Sequence, residues 1–441
     1  MPAFSAVSRA VIVAFIVLAA LYVGIITERL IIPAFFWPMD DGCFIAVFLA
    51  FLIMSLCLKS GSVLGYIVSL QSFNNSLELI FLLCFAINMN NEIQIECLHR
   101  ALSKYAIFSQ LKKDHLNVMT TKGLVHDHVL LRSDNYSDYQ MVVRVPRLSQ
   151  FGLEPKENLK YQAACFSAAS PSNHTPKLIL VVEPSANLPM GALVVEHIKG
   201  KNIVLPSDLN GMAECFARVH SLQTPETPDH SELIYHVDPI RGVVNTINEQ
   251  SKFINDATSD PEVKKILREE VEWASDFANQ NSKLHPPPRL CLTDTHPGNF
   301  LVDASGKVLF VDLEKALYGS PAIDLGHATI LTSTLWDFDI QVELSRNDII
   351  NFYQAYLDFL PVNLKNEIRP WLMPMRRLAW IRSTTWSCKW SARKQGSGEI
   401  VEGLRGQIQN HIVRRLASFV DLRTINLVRS EWIGENRLAL I

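Results

Sequence analysis

In the stretch Leu292-Thr-Asp-Thr-His-Pro-Gly-Asn299, Asp294 stands five residues before Asn299, and Asp312-Leu-Glu314 follows about a dozen residues later. An aspartate, an asparagine and a second acidic motif in that order are the parts needed to orient an attacking hydroxyl and hold magnesium against the phosphates of a nucleotide. Asp294 would accept the hydroxyl proton. Asn299 and Asp312 would ligate the metal, with Glu314 offering a further carboxylate. Between them lie two apolar, β-prone runs, Phe300-Leu-Val302 and Val308-Leu-Phe-Val311, split by the turn-forming Asp303-Ala-Ser-Gly306. A hairpin there brings Asn299 and Asp312 to one end. The plainer reading of the same residues is that Asp and Asn favour turns and caps for backbone reasons alone.

These residues resemble the aminoglycoside phosphotransferase and choline kinase-like family, whose loop reads His-Gly-Asp-x-x-x-x-Asn and whose metal motif reads Asp-x-Asp or Asp-x-Glu. The match takes in His296-Pro-Gly-Asn299 and runs on through Gly319-Ser-Pro-Ala-Ile-Asp324-Leu, where the family uses an aspartate to brace the catalytic loop. Two residues depart from the pattern: Leu292 stands where the family has His, and Thr293 where it has Gly. The resemblance implies a two-lobed, protein-kinase-like α+β fold with a small antiparallel-sheet lobe and a larger, mostly helical lobe. It implies ATP and Mg2+ as cofactors and the hydroxyl of a small molecule as acceptor. Aminoglycosides, choline-like alcohols, sugars and homoserine-like compounds all fit it, because fold and family do not select the acceptor.

The elements that must position this loop are legible on either side. Glu96 to Leu111 reads as a helix, and alternation through Gly123–Arg132 and Tyr139–Val145 predicts antiparallel strands joined by the polar stretch 133–137. Gly123 is the one glycine near the place where a phosphate-covering loop is expected. The resemblance places Arg144, in Val-Val-Arg-Val-Pro, on the α and β phosphates; a surface arginine on an edge strand is the alternative. It also puts Gln162 where relatives carry a glutamate that pairs with this basic residue, and a neutral amide offers a hydrogen bond but no opposite charge. Ala192–Gly200 reads as a strand leaving the sheet into a hinge, where the Glu196 carbonyl and the Ile198 amide would hold the adenine.

Ser207-Asp208 caps a helical pattern through Leu209, Met212, Phe216 and Val219 that closes at His220, for which packing or capping is the expected role. Asn245 to Ser282 is helix-like, and Pro286-Pro-Pro288 forces an extended entry to the catalytic strand. Trp371, Arg376, Arg377, Trp380, Arg382, Trp386, Lys389, Trp390, Arg393 and Lys394 crowd into one stretch. They read either as a wall for a planar, cationic or phosphorylated acceptor, as core tryptophans with a solvated basic face, or as a face against anionic lipid.

The chain has 441 residues, 48% of them apolar, enough for two or three units. A net charge of -3 carries no polyanion signature and argues against nucleic acid as a partner. Eight scattered cysteines lack metal-type spacing and read as free, buried thiols of a reducing compartment. Composition shifts near residue 90. Apolar runs at 10–27, 43–58 and 77–89 read as a membrane anchor of two or three helices with the catalytic part in the cytosol, as a signal peptide, or as residues upstream of a true start at Met89. The expected divisions are a hydrophobic region 1–90, a nucleotide-binding lobe 91–200 and a helical catalytic lobe 201–441. The rival to an ATP- and Mg-dependent phosphotransferase is a catalytically inactive nucleotide-binding pseudokinase with a membrane-anchored scaffold role.

Overall fold

The computed structural model describes residues 95–119, 125–132, 140–394, 403–435 and 437–440, all within a single unit formed by 87–396 and 400–441. The apolar runs at 10–27, 43–58 and 77–89, Met89 and Gly123 lie outside the described residues. Among the described residues, no helix is long and apolar enough to cross a membrane.

The first helix, α1, spans Ile95–Leu102 rather than continuing to Leu111. Its end is set locally: the Ser103 hydroxyl donates back to the His99 carbonyl at 2.8 Å, and a 3-10 turn at Ala106–Phe108 then drops Phe108 into the core, where it is fully buried. Five strands follow, β1 Leu116–Val118, β2 His126–Leu131, β3 Met141–Pro146, β4 Leu178–Val182 and β5 Ala192–Glu196, in the antiparallel order β1-β2-β3-β5-β4. All six residues of β3 are buried. Strand alternation sends Met141, Val143 and Val145 into one apolar cluster with Leu98 and Phe108. It sends Val142 into the main core with Leu159 and Phe166 of helix α2, Pro155–Ala169. Arg144 therefore falls on the α2 side of a central strand, the opposite of an edge-strand surface residue.

The second lobe opens with β6 Gly200–Asn202, which joins β8 Phe300–Asp303 and β9 Val308–Phe310 in a small sheet. The β8–β9 hairpin forms as expected, with Phe300 opposite Phe310 and Val302 opposite Val308. Its turn is held by the Asp303 carboxylate, which accepts from the Ser305 and Lys307 amides at 2.8 and 3.0 Å, while Gly306 supplies a positive φ of 86°. Strand β7 Arg289–Cys291 pairs antiparallel with β10 Leu317–Gly319.

Helices make up the rest: α3 Leu209–His220, α4 Pro239–Ser251, α5 Ile254–Ala257, α6 Pro261–Gln280, α7 Pro321–Thr329, α8 Leu331–Thr334, α9 Arg346–Phe359, α10 Val362–Ile368, α11 Leu372–Lys394, α12 Gly403–Phe419 and α13 Leu422–Arg429. The stretch 245–282, helix-like throughout by pattern, is broken at Asp260-Pro261. There the aspartate accepts from the Glu262 amide at 2.8 Å and the proline occupies the first turn, so a new helix starts. Helix α11 runs through the lobe against α7 and α4.

Candidate active site

The segment that β7 delivers is held from several sides. Asp324, fully buried in the first turn of α7, accepts from the Leu292 amide at 2.6 Å and the Thr293 amide at 2.9 Å. Its Oδ2 also lies 3.2 Å from His220 Nε2, and His220 Nδ1 lies 2.9 Å from the Tyr356 hydroxyl. His220 thus closes its helix as a buried bridge to the loop brace. Thr295 Oγ1 donates to the Asp324 carbonyl at 3.0 Å, and the Thr295 amide donates to His327 Nδ1 at 3.2 Å.

Thr293 has a φ of 66°, the left-handed region that a β-branched side chain enters only under constraint. Its hydroxyl donates to the Lys315 carbonyl at 3.0 Å and its own carbonyl accepts from Arg382 Nη2 at 2.9 Å. Those bonds tie this turn to the metal-motif segment and to α11. Leu292, the other departure from the expected loop wording, is fully buried apolar filling.

Asp294 and Asn299 face each other within this frame. Asn299 Nδ2 donates to the Asp294 carbonyl at 2.8 Å, which sets the amide orientation and leaves Oδ1 as the atom able to ligate a cation. The Val311 amide donates to the Asn299 carbonyl at 2.9 Å, joining the loop to the residue before Asp312. The Asp294 carboxylate meets Lys315 Nζ at 2.6 Å. Burial by itself would raise this carboxyl, but Lys315, His296 and His327 override it and hold it well below the usual carboxylate range.

Asp312 and Glu314 occupy different environments although one residue separates them. Arg144 Nη2 donates to Asp312 Oδ1 at 2.5 Å and Nη1 to the Val311 carbonyl at 3.1 Å, while Glu314 Oε2 lies 3.9 Å from the same guanidinium. Burial opposes ionisation of Asp312, yet Arg144 keeps it below the ordinary range. Glu314, with its side chain 4% exposed, is pushed up to about 8 by burial and by the neighbouring Asp312 charge. Its Oε2 sits 2.7 Å from His126 Nδ1 and its Oε1 accepts from Gln150 Nε2. Burial and Arg144 push His126 down to about 3, so the ring is neutral. Its Nε2 then donates to Gln162 Oε1 at 3.2 Å, while Nδ1 faces Glu314 Oε2.

Gln162 was expected to reach the guanidinium of Arg144. Instead it bonds to His126, and Arg144 takes its partners from the metal-motif segment. His126 escaped the sequence reading, although the signal was present: His126-Asp-His128 alternates in an otherwise apolar strand, and His128 lies directly opposite Arg144. Lys315, His327 and Arg382 were likewise not assigned to the loop's surroundings.

At the hinge, Glu196 ends β5 and its amide donates to the Lys177 carbonyl at 2.9 Å. Ile198 follows in the three-residue link to β6, and among the described residues its amide has no backbone partner. The aromatic and basic run on α11 divides by role. Trp371, Trp380 and Arg376 are buried in the core. Trp386, 38% exposed, stacks edge-on against Trp336 with ring centroids 5.4 Å apart and lies 6.4 Å from Trp390. Asp337, beside Trp336, packs so closely on Gly298 that a Cβ there would run into its carboxylate.

Comparison with known proteins agrees with this architecture. The fold is similar to that of an ethanolamine kinase from Plasmodium vivax, at a TM-score of 0.53 and 15% identity over 82% of this chain and 98% of that one. It is also similar to a choline kinase from Cryptosporidium parvum, at a TM-score of 0.50 and 11% identity over 77% of this chain and 97% of that one. No curated protein matches the sequence. The sequence does match the phosphotransferase enzyme family across residues 121–361, more than half of its length, a span that includes Arg144, Asp294, Asn299, Asp312 and Glu314. A kinase-like two-lobed fold and this match establish the chain as a phosphotransferase that belongs to that family.

Proposed function

We propose that this phosphotransferase moves the γ-phosphoryl group of ATP, in the presence of Mg2+, to the hydroxyl of a small molecule. The observation that supports it most is the rigid coupling of Asp294, Asn299 and Asp312: 2.8 Å from Asn299 to the Asp294 carbonyl and 2.9 Å from Val311 to Asn299.

In this reading Asp294 orients the acceptor hydroxyl and receives its proton. Arg144 contacts the α and β phosphates, and the Glu196 carbonyl and Ile198 amide hold the adenine. Asn299 and Asp312 hold magnesium, with Glu314 as a further ligand once it gives up its proton. Among the described residues no three His, Cys, Asp or Glu side chains converge as a ready-made metal cluster. That suits magnesium, which is held by one or two carboxylates together with phosphates and water rather than by an all-protein cage. The donors are hard oxygens, as the ion requires. When bound, the ion neutralises charge that develops on the phosphates. Arg144 now sits on Asp312, so nucleotide entry draws the guanidinium toward phosphate and frees that carboxylate.

The exposed Trp386, edge-on against the partly buried Trp336 and with Asp337 nearby, fits an acceptor that has a cationic or planar part. Amino alcohols such as choline and ethanolamine, after which the structural relatives are named, therefore belong in the first screen, beside aminoglycosides and sugars. The test is thermal stability of the full chain with ATP and magnesium, alongside Asp312→Ala. A metal-dependent rise lost in the variant supports the site, since a ligand of the folded state must stabilise it. Absence of any rise at millimolar ATP would argue against nucleotide binding at this site and so against the proposed reaction.

A further inference from the structure

Among the described residues, the cleft between Asp294 and the Asp312-Leu-Glu314 segment contains a cation that no step above uses. Lys315 lies in the turn after Glu314, with Nζ 2.6 Å from Asp294 Oδ2 and the two side chains 28% and 27% exposed. Its backbone is fixed: the carbonyl accepts from Thr293 Oγ1 at 3.0 Å, and the Ala316 amide closes the turn onto the Leu313 carbonyl at 3.0 Å. Its ammonium, on a flexible four-carbon stem, feels Asp294, Glu314 and Asp312 together. Two neighbouring arginines are committed elsewhere, Arg144 to Asp312 and the Val311 carbonyl, Arg382 to the Thr293 carbonyl.

We propose that Lys315 is a catalytic residue that contacts the transferring phosphoryl group while holding Asp294 in place. The inference rests on the phosphotransfer reading. A transferring phosphoryl must pass between the ionised Asp294 and the carboxylates of the metal motif, where like charges repel. An ammonium has three donors, so Lys315 can keep one on Asp294 and give the others to phosphoryl oxygens. In the step, the acceptor oxygen bonds to the γ phosphorus while the bond from that phosphorus to the β–γ bridging oxygen breaks. ADP leaves with that electron pair, the hydroxyl proton passes to Asp294, and Lys315 keeps its protons throughout. Because ADP lacks the γ group, Lys315 contributes to ATP binding alone.

The experiment is calorimetric titration of the full chain with a non-hydrolysable ATP analogue and with ADP, both with magnesium, for wild type, Lys315→Met and Lys315→Arg. Wild type should prefer the ATP analogue. Lys315→Met should weaken it about tenfold or more while leaving ADP within about twofold, and Lys315→Arg should recover part of the preference. Turnover of Lys315→Met should fall about 100-fold or more with the acceptor KM little changed, as for loss of a charge-stabilising donor. Equal weakening of both nucleotides, or no weakening, would overturn the role of Lys315, and Lys315→Arg serves the same test if the methionine variant does not fold. If wild type transfers phosphate but Lys315→Met keeps its ATP preference, only this inference falls. If wild type binds neither nucleotide, the phosphotransfer reading falls and takes this one with it.

Discussion

At the scale of single residues the site is an exercise in opposed environments. Asp294 and Asp312 are kept ionised by Lys315 and Arg144, whereas Glu314, buried beside the Asp312 charge, retains a proton near neutral pH. Replacing Asp294 with Asn keeps its shape and removes the proposed base, so phosphoryl transfer should fall about 100- to 10,000-fold while nucleotide affinity holds; steady-state kinetics beside calorimetry checks this. The raised pKa of Glu314 also has a signed consequence for stability. Relative to an ordinary glutamate at 4.5, the folded chain holds this proton more tightly, so the contribution is fully present below about pH 4.5 and is lost as pH rises through about 8. The two aspartates act the other way and are lost only on acidification. Denaturant melts in chelator should therefore show wild type losing on the order of 1–3 kcal/mol between pH 5 and 8.5 relative to Glu314→Gln. Parallel pH profiles for the two proteins would contradict the assignment.

At the scale of elements, the catalytic loop depends on the first turn of α7 more than on its own sequence. Asp324 is wholly buried and accepts two backbone amides from the loop while facing His220. Asp324→Ala strands those donors in a dry interior, at a cost of about 3 kcal/mol or more. Chemical denaturation should record that loss, and local hydrogen exchange at residues 292–295 should rise with it; protection unchanged there would show that the loop is held by other means. Thr293 offers a cleaner probe. Thr293→Val keeps the strained φ and the shape but removes the hydroxyl bond to Lys315, so about 1–2 kcal/mol should be lost with no change in backbone strain. Equal stability of the two proteins would show that this bond contributes nothing.

Across the whole molecule, charge that looks like a basic surface in one dimension is spent on holding the C-terminal segment to the helical lobe. Arg376 is fully buried, donates to both Glu431 carboxylate oxygens at 2.7 and 2.9 Å, and reaches Thr329 of α7 at 2.6 Å. Glu270 on α6 joins Arg377 and Arg429 at 2.7 and 2.8 Å, with Arg377 stacked 3.7 Å above the Trp273 ring. Breaking one side of such a pair leaves an uncompensated charge in the interior. Arg376→Met should therefore destabilise by about 3–5 kcal/mol, and the double change with Glu431→Leu should recover a large part of it in a double-mutant cycle. A double variant no more stable than the single one would place the cost in lost packing instead.

What the sequence determined alone is what short separations determine. Alternation put Arg144 on a strand, the apolar runs and Asp303–Gly306 made the hairpin that joins Asn299 to Asp312, and the spacing of Asp294 and Asn299 is a property of one loop. Helix ends are less legible, because the stop after Leu102 and the new start at Asp260-Pro261 turn on a few local capping bonds within a continuous pattern. Partners across long separations were not legible. Arg144 finds Asp312 at a distance of 168 positions, and Gln162 turns from that guanidinium to His126 because the fold puts a neutral ring, and behind it the protonated Glu314, within reach. A charge at one position can pair with any opposite charge the chain brings near. Only tertiary packing decided that Lys315 would face the base, that Arg376 would be buried, and that two tryptophans of a crowded run would face the core while Trp386 stayed open beside Trp336.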